Sequence, residues 1–356
     1  VTARARVVIT GVGVMSAAVS GDSAALGAFL AAPRAVAPAL PAGALGGLID
    51  PAEGRRLSRV CQMTIAAARL AVREAGLDPA EGLGIVVGTE FGDLASTHAF
   101  ADGFLERGPA GLSALLFPNT VMNTMVATTA IAVGARDMAL TLNTPTVAGE
   151  LAVARAAAAV AGGRVRAMLA GGVDELDPLV ERELAALGLG GERRGEGAAF
   201  VVLEARAAAA ARGASILGEI GAATWRALPA RPWRVGRARR SRAVGDALAA
   251  AGATPADLGW VYGSASDDAA RARWEADVLA AALGGAAPPV SALARSLGRH
   301  AGLGVMRVAA AAWTARSGLL PGAGETLDVA RVRPGRGLVH GLARGGTHVA
   351  LVVDAA

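Results

Sequence analysis

The chain has 356 residues, 53% of them hydrophobic but only 3% aromatic, so a large core must be filled mainly by Ala, Val and Leu. Every basic residue is arginine and the formal charge is +5; beside the Ala and Gly excess, this reports the codon usage of a GC-rich genome more than a function. The single cysteine excludes a disulfide framework and a cysteine-based metal site, and no uninterrupted apolar run reaches the ~18 residues of a membrane helix.

The start, Val1-Thr-Ala-Arg-Ala-Arg-Val-Val-Ile-Thr-Gly, has no charged-then-apolar leader pattern, so the expectation is a soluble cytoplasmic protein away from membranes. Arg6 to Gly13 predicts a buried strand running into a Gly turn, and no Gly-x-Gly-x-x-Gly helix start or ribose acid follows to make it a nucleotide site. Leu57 to Gly76 predicts a helix stopped by its glycine, with Cys61 inside it as a small core residue. Gly84 to Thr89 is the next strand, and the alternation of strands with helical periods predicts an α/β protein. Phe91 to Val133 then gathers Phe100, Phe104, Phe117, Met122 and Met125 between Gly-Pro and Phe-Pro-Asn breaks. Such a stripe suits plain core, and it equally suits a channel for a flexible chain, because the Met side chain adapts.

Met138 to Leu142 reads as a short buried strand, Val147 to Ala161 as a helix buried between layers, and Val165 to Ala170 as a strand ending in a Gly pair. Between the first two, Thr144-Pro145-Thr146 makes a tight elbow that presents Thr146 at a helix N-terminus, where the dipole and free N–H groups favour an anion. This segment resembles the Thr-Ala-Cys-Ser/Thr-Ser-Gly nucleophile elbow of β-ketoacyl synthases, with Thr146 standing where the family has its cysteine. The opening Val-Ile-Thr-Gly-x-Gly resembles the same family. The resemblance implies a thiolase-like fold: two similar βαβαβαββ halves, expected at 1–204 and 205–356, in an α-β-α-β-α layering. Ala198 to Glu204 would close the first half, and Trp260-Val-Tyr-Gly-Ser would faintly echo Val7-Val-Ile-Thr-Gly in the second. It further implies that Phe91 to Val133 builds a dimer contact and the floor of an acyl tunnel, with Thr97, Phe100, Phe104, Phe117, Met122 and Met125 as its wall.

Trp225 to Arg242 holds seven Arg, two Pro and two Trp and no acid. It reads as a solvated loop or, through Arg231, Arg234, Arg237, Arg239 and Arg240, as a surface that steers an acidic acyl carrier protein. Arg interleaved with Trp also suits nucleic acid, but no recognised nucleic-acid module accompanies it, so none is expected.

A ketosynthase needs a thiolate to hold the acyl chain and two imidazoles to assist decarboxylation and stabilise the oxyanion. A threonine hydroxyl is a far weaker nucleophile, and a helix terminus worth roughly 1 kcal/mol does not close a gap of several pKa units. The family's His-Gly-Thr-Gly-Thr loop is matched by Ser264-Ala-Ser-Asp-Asp ahead of a helix bearing Glu275, which puts Ser264 at a histidine position. Its Lys-x-x-x-Gly-His-x-x-Gly-Ala-x-Gly segment is matched by Arg295-Ser-Leu-Gly-Arg-His-Ala-Gly-Leu-Gly-Val-Met, keeping His300 and replacing the lysine by Arg295. A lone histidine without its partners reads as structural. At the C-terminus His340-Gly-Leu-Ala-Arg-Gly-Gly-Thr-His resembles Asn-Ser-Phe-Gly-Phe-Gly-Gly-Thr-Asn, with Arg344 at the gating phenylalanine.

No catalytic residue is therefore expected at the degenerate positions Thr146, Ser264 and His300. The pattern is similar to the chain-length factor, or ketosynthase β subunit, of type II polyketide synthases. That resemblance implies a heterodimer with a catalytic ketosynthase, an acyl chain delivered on the phosphopantetheine of a carrier protein, and no resident cofactor or metal. Factors of the aromatic type commonly carry Gln at the cysteine position, linked to malonyl decarboxylation; Thr146 departs from this and points toward factors for reduced or polyene chains. Two other readings stand: an independent acyltransferase or malonyl decarboxylase using Thr146, Ser264 and His300, and a homodimeric scaffold.

Overall fold

The computed structural model describes residues 5–35, 38–189, 191–265, 267–322 and 327–356; the first four residues of the leader reading, and Ser266 of the serine loop, lie outside the described residues. Ten strands share one mixed sheet: β1 (Val7–Ser16), β2 (Leu83–Thr89), β3 (Ala139–Asn143), β4 (Ala167–Asp174), β5 (Gly197–Ala205), β6 (Gly218–Ala227), β7 (Val261–Tyr262), β8 (Val290–Ser291), β9 (Arg336–Leu342) and β10 (Thr347–Asp354). The two residues Ser20–Gly21 pair onto β1 as an eleventh. The order is β3-β2-β4-β5-β1-β6-β10-β9-β7-β8, so the first five strands and the last five have mirrored orders and meet through the first strand of each set. β2 lies parallel to β3 and β4, and β7 parallel to β8 and β9, which is the pairing that helical crossovers require.

Eight helices frame the site: α1 (Arg59–Ala75), α2 (Leu94–Arg107), α3 (Thr124–Val133), α4 (Ala148–Ala161), α5 (Pro178–Ala186), α6 (Arg242–Ala250), α7 (Ala269–Leu283) and α8 (Ala301–Ser317). The junction between the sheet halves is short, with only Val7, Val8 and Ile9 paired to Ile220, Glu219 and Gly218. Around it, one core joins Val153 and Val160 of α4 and Val305 and Val308 of α8 to strands of both halves. Met63 and Ile65 of α1 and Val126 of α3 cover the outer face of the first half with Ile85, Leu169 and Phe200. Val244 and Leu248 of α6 and Leu279 of α7 do the same for the second half with Leu338 and Val352. The result is the expected α-β-α-β-α layering of the thiolase-like fold, with α4 and α8 as the central layer.

Several local expectations change. Gly11 and Gly13 lie inside β1 rather than in a turn after it, because α1 is pressed so close that a Cβ on either would sit 2.2 or 1.9 Å from the carbonyl of Ala71 or Ala67. The Gly171-Gly172 pair is likewise within β4, the first under the ring of Phe200. The strand before the elbow is not buried: β3 is an outer edge of the sheet with half-exposed residues along it. The echo of β1 is misplaced, since by strand order the partner of β1 is β6, and the Trp260 segment (β7) corresponds to β2. Trp225 is in β6 and Arg242 opens α6, so the Arg-rich loop is shorter than read.

Candidate functional site

The elbow between β3 and α4 is built from local hydrogen bonds. The Asn143 side-chain amide donates to the carbonyls of Thr89 and Glu90 at 3.3 and 2.8 Å, and the Thr144 N–H donates to Thr89 at 3.3 Å, tying the elbow to the end of β2. Thr146 follows with φ 65°, a left-handed conformation that costs a non-glycine residue roughly 1–2 kcal/mol and is an outlier for a β-branched one. The backbone of a nucleophile elbow is thus kept, while its side chain is a hydroxyl 7% exposed.

Thr146 lines a cavity of about 20 Å³, room for one water-sized particle, whose wall is otherwise mostly charge. Glu90, at the end of β2, pairs with Arg299 and lies 3.4 Å from Arg194. Glu192 bridges Arg299 and Arg271, each at 2.5 Å. Asp268 caps α7 through the Arg271 N–H at 3.1 Å and takes two hydrogen bonds at 2.7 Å from Arg344. Burial works against the charge on Arg299, but Glu192 and Glu90 reverse this and hold it above its ordinary range. For Arg194, burial and the repulsion of Arg299 win, and its pKa is lowered. Removing one member of such a buried network costs about 3–5 kcal/mol because it strands its partner.

The expected site residues separate. Thr146 and Arg344 line this cavity, and Arg344, at the position read as the gate, is ion-paired with Asp268. Ser264 sits behind it: its N–H and hydroxyl donate to Glu275 at 2.9 Å, its oxygen accepts from the Leu342 N–H at 2.9 Å, and Arg271 donates to its carbonyl at 2.8 Å. Glu275 is held low despite burial, chiefly by the His340 Nδ1 at 2.7 Å. His300 does not line the cavity. It precedes α8 with its ring against Gly197 and Gly302, and burial pushes its pKa down to about 3, so it stays neutral. Its neighbour Arg299 is the residue that enters the cavity, and Gly298-Arg299-His300-Ala301-Gly302 meets the Gly-His-x-x-Gly frame with the arginine in the histidine slot. Glu90, Glu192, Arg194, Arg271 and Arg299 were missed in the sequence; only the tie of Arg299 to a glycine frame was there to be read.

Of the six residues expected in a tunnel wall, Met125 is buried in the core beneath α1, and Phe100 packs its ring 6.0 Å from that of Phe117. Phe104, Phe117 and Met122 are open at 48%, 58% and 42% exposure, and Thr97 is exposed too, so the plain-core reading fails for most of the stripe. Met122 lies over Gly92, beside Asn143 at the end of β3. In the Arg-rich loop Arg231, Arg234, Arg237, Arg239 and Arg240 are all exposed, and Arg239 pairs with Asp277 at 3.1 Å. The loop is anchored rather than free: the Trp274 indole donates to Ala238 at 2.8 Å, and Trp233 stacks on Phe91 at the cavity wall. Among the described residues no helix is long and apolar enough to cross a membrane.

A sheet with mirrored halves, two central helices and a strained elbow at one of them are the architecture of the thiolase-like fold. Residues 43–209 match the family described as "Beta-ketoacyl synthase, N-terminal domain". Among curated relatives, 3-oxoacyl-[acyl-carrier-protein] synthase 2 of Synechocystis sp. is 28% identical over 48% of this chain and 47% of its own. The chain spans about half the length of the curated relatives it matches. Solved structures share the fold across 99% of this chain and 100% of theirs: "The ishigamide ketosynthase/chain length factor" at TM-score 0.86 and 23% identity. A type II polyketide synthase complex, AntDE:AntF, described as an acyl-carrier protein with its ketosynthase bound to the hexaketide, follows at TM-score 0.83 and 19% identity.

Proposed function

We propose that this chain is a catalytically silent ketosynthase subunit, a chain-length factor that pairs with an active ketosynthase and shapes the space into which a polyketide grows. The observation that carries this reading is the small, charge-lined cavity at Thr146. Where a condensing enzyme needs a thiolate, two imidazoles and room for an acyl chain, this chain has a hydroxyl, a serine bound to Glu275, an arginine in two ion pairs and about 20 Å³ of space. Neither serine nor arginine exchanges protons near neutrality. The open edge of β3 with Met122 beside it, and the exposed Phe104 and Phe117, support a partner, the acyl chain arriving on a carrier protein. No resident cofactor enters the proposal.

The test is co-expression with the ketosynthase encoded nearest to it, followed by size exclusion and mass of the eluted species. A one-to-one complex is expected, and Phe100→Ala or Phe117→Ala in it should lengthen the products. A stable homodimer that ignores the ketosynthase overturns the proposal. Two observations favour a second reading, acyl transfer by this chain alone: the strained φ at Thr146, and curated relatives that are named as synthases. That reading requires acyl transfer from carrier protein or coenzyme A by the isolated chain, lost in Thr146→Ala.

A further inference from the structure

Along the flank of α4 the core is left hollow. A cavity of about 440 Å³ opens between the second half of this helix and the strands β2, β3 and β4, with Trp225 of β6 as a further wall. Met138, Leu140 and Met168 give it an apolar floor, of which Met138 and Leu140 are only partly buried. α4 carries two charges: Glu150, which Arg307 answers, and Arg155. Arg155 is exposed at the rim of this cavity, its guanidinium 5.4 Å from the centroid of the Trp225 ring. Arg164, just past the end of α4 and also exposed, is the second cation of the rim. Among the described residues no carboxylate lines the cavity and neither arginine pairs with one. The acids close by in sequence are engaged elsewhere, since Asp137 accepts from the Met138 N–H at 2.8 Å and Glu81 pairs with Arg166 at 2.5 Å.

We infer that this cavity binds an amphipathic monocarboxylate, its apolar tail on the floor of Met138, Leu140 and Met168 and its head on Arg155 and Arg164. The lining chooses the ligand. Guanidinium groups hold a carboxylate through charge-assisted hydrogen bonds, and the methionines adapt to a flexible tail. A neutral lipid would leave both cations unused, and a phosphate dianion would meet the partial negative charge at the carbonyl end of α4. Size admits such a ligand without selecting it, since small-molecule pockets of this kind run from about 300 to 1,000 Å³. The site is separate from the Thr146 cavity: the two share no lining residue, and Arg155 stands roughly 10 Å along α4 from its first residue. The inference does not depend on pairing with a ketosynthase, since it concerns the isolated chain.

Decanoate and decanol, titrated into the full chain with isotope-labelled methionine methyl groups, give the test by nuclear magnetic resonance. Decanoate should move the signals of Met138 and Met168, assigned through Met138→Leu and Met168→Leu, and leave that of Met63 in the outer core of the first half in place. Decanol should bind at least about tenfold more weakly. Arg155→Glu should weaken decanoate by at least about tenfold while the melting temperature holds, because the side chain is exposed, and Arg155→Lys should keep part of the affinity. Ala158→Phe, which sets a ring into the cavity from an exposed position, should abolish binding of both ligands. Met138 and Met168 signals that stay put up to about 1 mM decanoate overturn the inference, whatever binds elsewhere on the chain. Equal affinity for the alcohol, or wild-type affinity in Arg155→Glu, overturns it as well.

Discussion

At the scale of the residue, the site sets an elbow backbone beside side chains that carry neither a thiol nor an imidazole into the cavity. Thr146 holds a left-handed φ of 65°, a strain that a β-branched residue rarely carries. His300 is a fully buried imidazole that does not line the cavity. Burial lowers its pKa to about 3, against about 6.5 in the unfolded chain. Between those values the unfolded state binds the extra proton, so this residue's contribution is fully present above pH 6.5 and is lost progressively as pH falls toward 3. We expect His300→Asn, which preserves a good residue ahead of α8, to remove this sensitivity. Melting temperatures of both proteins from pH 7.5 to 4.5 measure it: the wild-type advantage should shrink by about 1.4 kcal/mol for each pH unit below 6.5. Parallel curves would mean that the ring is solvated or already charged.

At the scale of the element, the central layer is locked by charge as well as by packing. Glu150 of α4 and Arg307 of α8 form a fully buried ion pair, and Arg307 also donates to the Gly263 carbonyl at 2.7 Å, just before Ser264. Each alone would be a stranded charge. Glu150→Leu or Arg307→Met is expected to cost about 3–5 kcal/mol, while the double variant costs clearly less than the sum, as a cycle of melting or denaturant curves would read. Additive losses would show that the pair is not coupled. The elements themselves were legible in the sequence wherever periodicity and capping agree: Gly76 stops α1 in a left-handed conformation, and the Ala-rich run of α4 is buried as its composition requires. Glycines inside β1 and β4 misled, because close approach of a neighbour and a turn leave the same mark in one dimension. The ionic network was illegible for a related reason. Glu90, Glu192, Arg271 and Arg299 are spread over more than half the chain, and a buried charge looks like a surface charge until the fold brings its partner to it.

At the scale of the whole molecule, one side of the chain is apolar and open. Leu115, Ile131 and Leu105 are 89%, 84% and 79% exposed along α2, α3 and the turns between them, and β3 beside them offers an unpaired edge. Soluble monomers seldom leave both features open together, because each invites association. Of the stripe of Phe and Met read from the sequence, Met125 is core, while Phe104, Phe117 and Met122 lie open with these residues. The prediction is that Leu115→Asp or Ile131→Asp, each at a side chain that packs on little within this chain, leaves the melting temperature of the isolated chain within a degree or two. The same changes should weaken the complex with the ketosynthase at least about tenfold, the equivalent of 1.4 kcal/mol, since a carboxylate buried in an apolar contact has no partner. Arg237→Asp in the Arg-rich loop is the control, expected to leave that complex intact while slowing carrier-protein association at low salt, where steering by exposed charge is strongest. If both apolar variants still co-elute with the ketosynthase at wild-type affinity, the partner binds elsewhere and the open face has another owner.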